Sequence, residues 1–429
     1  MRRNGKKWLA ALMLVSLLSG CLPAGASAEK KLTWPSHVKV VGESMFEGDT
    51  SIETVVLPEG VEGIGSRAFA GSSLKEIYLP STLDMTKVEP DAFGTIRPII
   101  DVYPAVHAPV GSDAYNWARE KGLQVEFRAL LIGEKTFEDE EEKPAIRNVA
   151  DVNNLSKKLK SVFGYTGDPY TIVTGIDYSY EMIHSAIEDT FAGARDQDIS
   201  LFFIATHGSS LDGGLVMPYL GESNYTRKLT FDVLAGWLSN VPGRVIVILE
   251  SCYAGYAIYS PEIQENGIKG NGIQIMNNTK DDSTVLRDQD FAEQAVQAFA
   301  EKDPGIRVIQ QPGDSSDGMR KKSGAMRIEN KFYVLAASRH NETSFGYVGT
   351  EAYKGNVFTI WLTQGIGNKT NSPADISLKD GMLTLDELYQ YIKIKSDKRD
   401  PRLLIGGVQY YQHVQCYPKD CNLVCFLLR

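Results

Sequence analysis

Residues 245–255 read VIVILESCYAG, an apolar run that ends abruptly in an acid, a serine and Cys252. Apolar residues without polar alternation are typical of a strand buried on both faces of a parallel sheet. A second stretch, LFFIATHGSS at 201–210, has the same form and ends in threonine, His207 and glycine. The two stretches therefore predict two buried strands, each ending in a side chain capable of chemistry.

The region from Arg128 onwards alternates strand patterns with helix patterns. The predicted strands are 129–133, 170–175, 199–206, 244–250 and 332–337, and the predicted helices are 147–163, 180–191, 231–241, 291–302, 357–366 and 384–395. Buried strands separated by amphipathic helices predict an α/β fold, in which helices sandwich a mostly parallel sheet.

The ends of neighbouring strands in such a sheet lie about 4.8 Å apart, at the edge where ligands bind. If the two strands are neighbours, the His207 imidazole and the Cys252 thiol emerge there together. His207 can stabilise the thiolate and protonate a leaving amine, and the amides of Gly208 and Cys252 can stabilise an oxyanion. A lone buried cysteine is usually only a small hydrophobe, so the prediction depends on the pair; it needs no metal or other cofactor.

These motifs resemble the His-Gly and acid-x-Cys-x-x-Gly signatures of the caspase/legumain-like cysteine peptidases, from Arg128 to the C-terminus. The resemblance implies a caspase-like fold and hydrolysis of peptide bonds through a thioester on Cys252. YVLAASRHNETSFG, at 333–346, is similar to the strand and loop that line the specificity pocket in that family, which implies that Ser338 binds substrate. Because a thioester can also pass to an amine, transpeptidation stays open as an alternative.

Glu250 is the first candidate for substrate selection. It lies two residues before Cys252, so it faces the same side and could pair with a cationic or amide side chain of the substrate, or it could only hydrogen-bond loop amides. RNVAD, at 147–151, is similar to the legumain stretch whose arginine joins the pocket, which implies Arg147 and favours Asn. Against a preference for Asn, this chain has Asn356 where legumains place a second acid, so the resemblance to their pocket is incomplete. The acidic run at 138–142 also favours a basic partner. We therefore predict cleavage after Arg or Lys, with an Asn-specific legumain-like protease as the alternative.

Residues 1–28 have the features of an export signal. Four basic residues precede an 11-residue apolar stretch that is too short to span a bilayer, and small residues follow. Leu-Ser-Gly-Cys21 resembles a lipobox, which implies acylation of Cys21; cleavage after Ala28 is the alternative. Removal of this segment lowers the formal charge from −9 to −13, since it carries four basic residues and no acid. We expect an exported lipoprotein or secreted protein that contacts membrane only through its lipid and does not bind nucleic acid.

Residues 38–127 contain a repeat. Ile52, Val55 and Leu57 recur as Leu74, Ile77 and Leu79, and Phe46, Phe69 and Phe93 recur at similar intervals. One short strand per unit predicts a leucine-rich solenoid, similar to the bacterial surface type, and 111–127 resembles its capping helix and strand. We expect this segment either to bind a protein partner or to act as a spacer. The peptidase domain is predicted to span 128–429.

Residues 256–330 form a long, Gly/Asn/Asp-rich stretch between predicted core strands. Exposed loops of this composition are preferred sites of cleavage, and the resemblance implies that such a linker is cut during activation. We predict self-cleavage near Arg320, Lys321 and Lys322. A rival hypothesis is a surface binding or adhesion lipoprotein whose peptidase domain has lost activity.

Overall fold

The computed structural model describes most of the chain from residue 31 onwards. The described residues are 31–94, 104–137, 145–208, 214–218, 228–251, 306–309, 326–338, 344–348, 354–368, 371–375, 381–398, 403–405, 408–409, 411–418 and 423–427. The two parts of the chain, a repeat segment and an α/β domain, are built on different sheets.

The repeat segment is a short solenoid. Its strands are β1 (Lys31–Thr33), β2 (Val40–Val41), β3 (Thr54–Val56), β4 (Gly63–Ile64), β5 (Glu76–Tyr78) and β6 (Ala105–His107). Strands β1, β3, β5 and β6 form a parallel sheet, and β2 pairs with β4. Helix α1 (Asp113–Glu120) begins at Ser112, which accepts a hydrogen bond from Tyr115 N. The described part of this sheet includes Lys31–Thr33, which lie before residue 38, the predicted start of the repeat segment.

The recurring phenylalanines form a ladder through the solenoid. The rings of Phe46 and Phe69 stack at 5.4 Å, and those of Phe69 and Phe93 stack at 5.8 Å. Trp117 of α1 closes the ladder 6.0 Å from Phe93. Each repeat therefore buries its aromatic side chain against the next one, as a solenoid requires.

The α/β domain contains a six-stranded sheet in the order β21 (Gln415–Tyr417), β15 (Phe332–Ala336), β12 (Arg244–Glu250), β9 (Ile199–Ala205), β7 (Phe127–Gly133) and β8 (Tyr170–Ile176). All neighbouring pairs are parallel except β15–β21. The strands after β6 are β7 (Phe127–Gly133), β8 (Tyr170–Ile176), β9 (Ile199–Ala205), β10 (Leu215–Val216), β11 (Lys228–Leu229), β12 (Arg244–Glu250), β13 (Ile306–Ile309), β14 (Met326–Glu329), β15 (Phe332–Ala336), β16 (Gly346–Val348), β17 (Lys354–Asn356), β18 (Met382–Thr384), β19 (Leu404–Ile405), β20 (Val408–Gln409), β21 (Gln415–Tyr417) and β22 (Val424–Leu427).

Helices cover both faces of this sheet. They are α2 (Ala145–Thr166), α3 (Tyr180–Phe191), α4 (Phe231–Ser239), α5 (Val357–Ile366) and α6 (Leu385–Ser396). Helices α2, α5 and α6 share one buried cluster with alternate residues of the strands, and α3 and α4 share the other. The predicted mostly parallel α/β sandwich with a small N-terminal solenoid is therefore confirmed. The predicted helix at 291–302 lies outside the described residues.

The solenoid packs its sheet against the α/β domain. Val55 and Ile77 point into the solenoid core, so their neighbours Val56 and Tyr78 point outward, where they pack on Met382 of β18 and Val424 of β22. In the same face, Glu76 of β5 forms a buried ion pair with Arg244 at the start of β12. The α/β domain therefore covers the outward sheet face of the solenoid.

Candidate active site

The candidate site lies where β9 and β12 end side by side. Ala205 pairs in register with Glu250, and the Thr206 amide donates a hydrogen bond to the Glu250 carbonyl over 3.1 Å. His207 is the second residue after Ala205. Cys252, the second residue after Glu250, lies outside the described residues. The structure thus joins the two strands from which the predicted dyad extends, in the register that the prediction needs.

A short antiparallel contact fixes the backbone around His207. The His207 carbonyl accepts a hydrogen bond from Val216 N at 2.8 Å, and Thr206 Oγ1 donates to the Val216 carbonyl at 2.6 Å. Gly208 lies opposite Leu215 in this antiparallel pairing, at a position where the two residues exchange no backbone hydrogen bonds. Its N–H therefore has no acceptor among the described residues, a condition that an oxyanion donor must meet.

An aromatic ring packs against the His207 imidazole. The ring centroids of Phe137 and His207 are 4.4 Å apart, with a 60° angle between the ring planes. Phe137 follows β7 in a segment that Asp177 holds, because the Asp177 carboxylate accepts hydrogen bonds from Lys135 N and Thr136 N at 2.7 and 3.0 Å. Thr136 Oγ1 donates a third, at 2.7 Å.

Glu134 is the first residue of this segment and is fully buried. Burial, reinforced by the charge of Asp177, raises the pKa of Glu134 to about 9, against a hydrogen bond from Tyr178 N that lowers it. Glu134 is therefore neutral at pH 7. Its Oε1 has no hydrogen-bond partner among the described residues.

Glu250 is buried, with 1% of its surface exposed, and both carboxylate oxygens accept hydrogen bonds from the chain itself. Ser344 Oγ donates to Oε1, while Thr359 donates to Oε2 through its amide at 3.1 Å and its hydroxyl at 3.0 Å. Thr359 lies in the first turn of α5, where a carboxylate is favoured by the helix dipole. Burial raises the pKa of Glu250 to about 7, although these hydrogen bonds and Arg147 oppose the rise. This arrangement corresponds to the alternative in which Glu250 binds loop and helix groups.

A second buried acid, Asp151 of α2, stands close to Glu250. Burial raises the pKa of Asp151 well above its usual range, and the charge of Glu250 adds to the effect. Asn356 donates to Asp151 through its amide at 2.9 Å and its side chain at 2.5 Å. Asn356 is thus hydrogen-bonded to an acid through both its backbone and its side chain. Arg147, half-buried in the first turn of α2, lowers the pKa of both carboxyls and completes the cluster.

Ser338 also lies at this edge, fully buried beyond the end of β15. Its hydroxyl donates to the Ser251 carbonyl at 3.2 Å, which braces the residue immediately before Cys252. Gln412 extends the support, because its side chain donates to Ala337 O at 2.8 Å and accepts from Phe345 N at 3.0 Å.

The sequence did not identify several of the residues that hold Glu250 and its neighbours. Thr359 did give a signal, because it is a polar residue in the apolar run VFTIWL at the start of a predicted helix. A hydroxyl in that first turn could have been recognised as a donor to a carboxylate from another part of the chain. Ser344 and Gln412 gave none, because only the tertiary fold brings them to this edge.

Several predicted features fall outside the described residues: Cys21, Cys252, the acidic run at 138–142, and Arg320, Lys321 and Lys322. Within the described ranges no three His, Cys, Asp or Glu side chains form a cluster that could hold a metal ion. No helix in that part of the chain is both long and apolar enough to cross a membrane. Cys416 and Cys425 are buried there, and their sulfurs lie 3.5 and 3.6 Å from the carbonyls of Pro418 and Leu423.

Comparison with known proteins identifies the repeat. Residues 25–103 match the family model "BspA type Leucine rich repeat region" in six copies, which confirms the predicted leucine-rich segment. No curated protein matches the chain. Among solved structures, the chain is similar to a crystal structure of caspase-1 from Spodoptera frugiperda, at 12% identity, with 68% of this chain and 86% of the other covered and a TM-score of 0.40. A structure of pro-sf-caspase-1 matches at 13% identity, with 69% and 88% covered and a TM-score of 0.36.

Proposed function

We propose that this protein is a cysteine endopeptidase in which Cys252 is the nucleophile and His207 the general acid and base. The observation that carries the proposal is the register of β9 and β12, in which Ala205 pairs with Glu250. His207 and Cys252 each follow a paired residue by two positions, on adjacent parallel strands. Strands in that relation lie about 4.8 Å apart, which is within reach of a thiol and an imidazole.

The proposed reaction proceeds through a thioester. His207 takes the thiol proton, and the Cys252 sulfur forms a bond to the carbonyl carbon of the scissile peptide. The amides of Gly208 and Cys252 stabilise the oxyanion, and collapse breaks the C–N bond as His207 protonates the leaving amine. Water, deprotonated by His207, then cleaves the thioester and regenerates the thiol. Transfer of the acyl group to an amine instead of water would give a transpeptidase.

The test compares the wild type with Cys252→Ala and His207→Ala on a panel of fluorogenic peptides. Both variants should lose hydrolysis entirely while their melting curves stay near the wild type. Rapid alkylation of the native protein by iodoacetamide should fall on Cys252 and not on the buried Cys416 and Cys425. Hydrolysis by Cys252→Ala would contradict the proposal, and a wild type that neither hydrolyses nor alkylates would favour the inactive binding lipoprotein.

We also propose cleavage after Arg or Lys, with Asn as the alternative. Burial raises the pKa of Glu250 to about 7, so this carboxyl ionises in the neutral range, and its negative charge would favour a cationic substrate side chain. Because Glu250 is buried and both of its carboxylate oxygens already accept hydrogen bonds, it would act on the substrate through the electric field of its charge and through Ser344.

The proposed setting is the bacterial surface or the medium, where peptides and proteins are the substrates and nucleic acid is not a partner. The match to BspA-type repeats supports a surface protein. Acylation of Cys21 is tested by detergent partition, in which Cys21→Ser should leave the detergent phase or fail to be processed. Mature protein that begins at Glu29 would contradict the lipobox. Any protein partner of the repeats would have to bind outside the sheet face that the α/β domain covers.

A further inference from the structure

The segment from Glu134 to Phe137 joins the end of β7 to the imidazole of His207, and the structure fixes it at both ends. At its start, the Glu134 amide donates to the Ala205 carbonyl at 2.9 Å, so the segment leaves the sheet beside β9. At its end, the Phe137 ring meets the His207 ring at a centroid distance of 4.4 Å. Nothing in the proposed dyad chemistry requires this contact.

Asp177 holds the middle of the segment. Its three acceptor contacts, to Lys135 N, Thr136 N and Thr136 Oγ1, range from 2.7 to 3.0 Å. Asp177 itself has a φ of 55°, a left-handed conformation that is uncommon for a residue other than glycine. The Asp177 amide donates back to the Gly133 carbonyl at 3.3 Å. The turn after β8 is thus shaped to clamp the segment that carries Phe137.

We propose that Phe137 is a positioning residue that holds the His207 imidazole in its catalytic orientation, and that Asp177 acts through it. Aromatic rings that meet at a tilted angle favour one relative orientation, so the Phe137 ring restricts rotation of the imidazole. A general base is effective only when its nitrogen stays within hydrogen-bond reach of the proton that it transfers. This inference rests on the proposed function for its kinetic consequence, but the ring contact itself can be tested without activity.

The first test uses Phe137→Leu, which removes the ring, and Phe137→Tyr, which keeps it. Phe137→Leu should lower kcat by about tenfold with KM unchanged, because substrate binding is intact and only orientation is lost. Phe137→Tyr should restore kcat. Asp177→Asn, which weakens the clamp, should lower kcat in the same direction. Tyr165→Leu, an exposed aromatic substitution near the end of α2, is the matched control and should leave kcat and KM at wild-type values.

The second test reads the contact by NMR in the full chain carrying Cys252→Ala. The ring protons of His207 should shift when Phe137→Leu removes the ring current, and should stay in place with Tyr165→Leu. Unmoved His207 resonances, or a Phe137→Leu variant with wild-type kcat, would overturn the proposal. If the wild type hydrolyses no peptide while the His207 resonances shift, the proposed function fails and the positioning contact stands.

Discussion

The Thr206 amide donates a hydrogen bond to the Glu250 carbonyl over 3.1 Å, at the carboxyl ends of the paired strands β9 and β12. Beyond this hydrogen bond, the described residues that follow the two strands contact different neighbours. The His207 carbonyl accepts a hydrogen bond from Val216 of β10, and the Ser251 carbonyl accepts one from Ser338, just beyond the end of β15. Open α/β sheets bind ligands beyond the carboxyl ends of their strands, and this is such a place.

Substrate preference should depend on the charge of Glu250. A carboxyl ionises above its pKa, and that of Glu250 is about 7, so its negative charge is gained between about pH 6 and pH 8. The ratio of kcat/KM for an Arg substrate to that for an Asn substrate should therefore rise over this range. A pair of fluorogenic peptides differing only in that residue measures it.

The matched variant is Glu250→Gln, which should lower the Arg/Asn ratio by about tenfold and remove its pH dependence. Because both substrates are measured on the same variant, a general loss of activity from disturbed packing lowers both kcat/KM values and cancels in their ratio. Rapid turnover of the Asn peptide with no turnover of the Arg peptide would show that the legumain-like alternative is right.

Self-cleavage is expected near Arg320, Lys321 and Lys322, since a basic site suits the proposed specificity. Mass spectrometry should find two fragments in the wild type and a single chain in Cys252→Ala. Substitution of all three basic residues by Gln should prevent the cut. An intact chain that is fully active would count against activation by cleavage.

Stability should respond to pH through Glu134. Its carboxyl is neutral in the folded state up to about pH 9 but ionises near 4.5 when unfolded, so folding binds a proton between these values. Stability is therefore lost as pH rises from about 5 to 9. Glu134→Gln, which mimics the neutral form, should raise the free energy of unfolding at pH 8 by on the order of 2–4 kcal/mol and change it little at pH 4.

Denaturant melts at both pH values measure this effect, and Glu120→Gln, at an exposed position in α1, provides the control that should not move. Equal effects of Glu134→Gln at pH 4 and pH 8 would mean that folding does not raise the pKa of the Glu134 carboxyl.

The buried ion pair between Glu76 and Arg244 should be costly to break. Glu76→Gln would leave the Arg244 guanidinium without its carboxylate in a buried site, and should lower the free energy of unfolding by about 3 kcal/mol. Glu47→Gln, which breaks an exposed pair with Arg67, should leave the denaturation midpoint unchanged. Replacing Glu76 and Arg244 together by Leu should recover most of the loss. A Glu76→Gln variant as stable as Glu47→Gln would contradict this account.

Element boundaries followed from the sequence where local signals agreed. The strand 244–250 and the helix 180–191 match their predicted ranges residue for residue. Gly243, with a φ of 74°, ends the turn before β12, and Ser179 caps the helix by accepting from Met182 N. By contrast, α2 starts at Ala145 and ends at Thr166, beyond the predicted 147–163 at both ends.

The environment of Glu250 could not be predicted, because its partners come from distant parts of the chain. The sequence left open whether Glu250 pairs with substrate or with the chain, and local patterns hold no information about Ser344 or Gln412. The docking of the solenoid is a second example. Periodicity predicted the repeats, but Glu76 gave no sign that its partner would be Arg244, 168 residues later.

The covered sheet face of the solenoid affects how the chain can be divided. A fragment that begins at residue 128 would expose Met382 and Val424 to water and leave Arg244 without Glu76. A fragment that ends at residue 127 would present Val56 and Tyr78 on an open parallel sheet, a surface prone to self-association. Proteolytic removal of the repeats would therefore uncover an apolar surface on each fragment, and each fragment is expected to associate more readily than the whole chain.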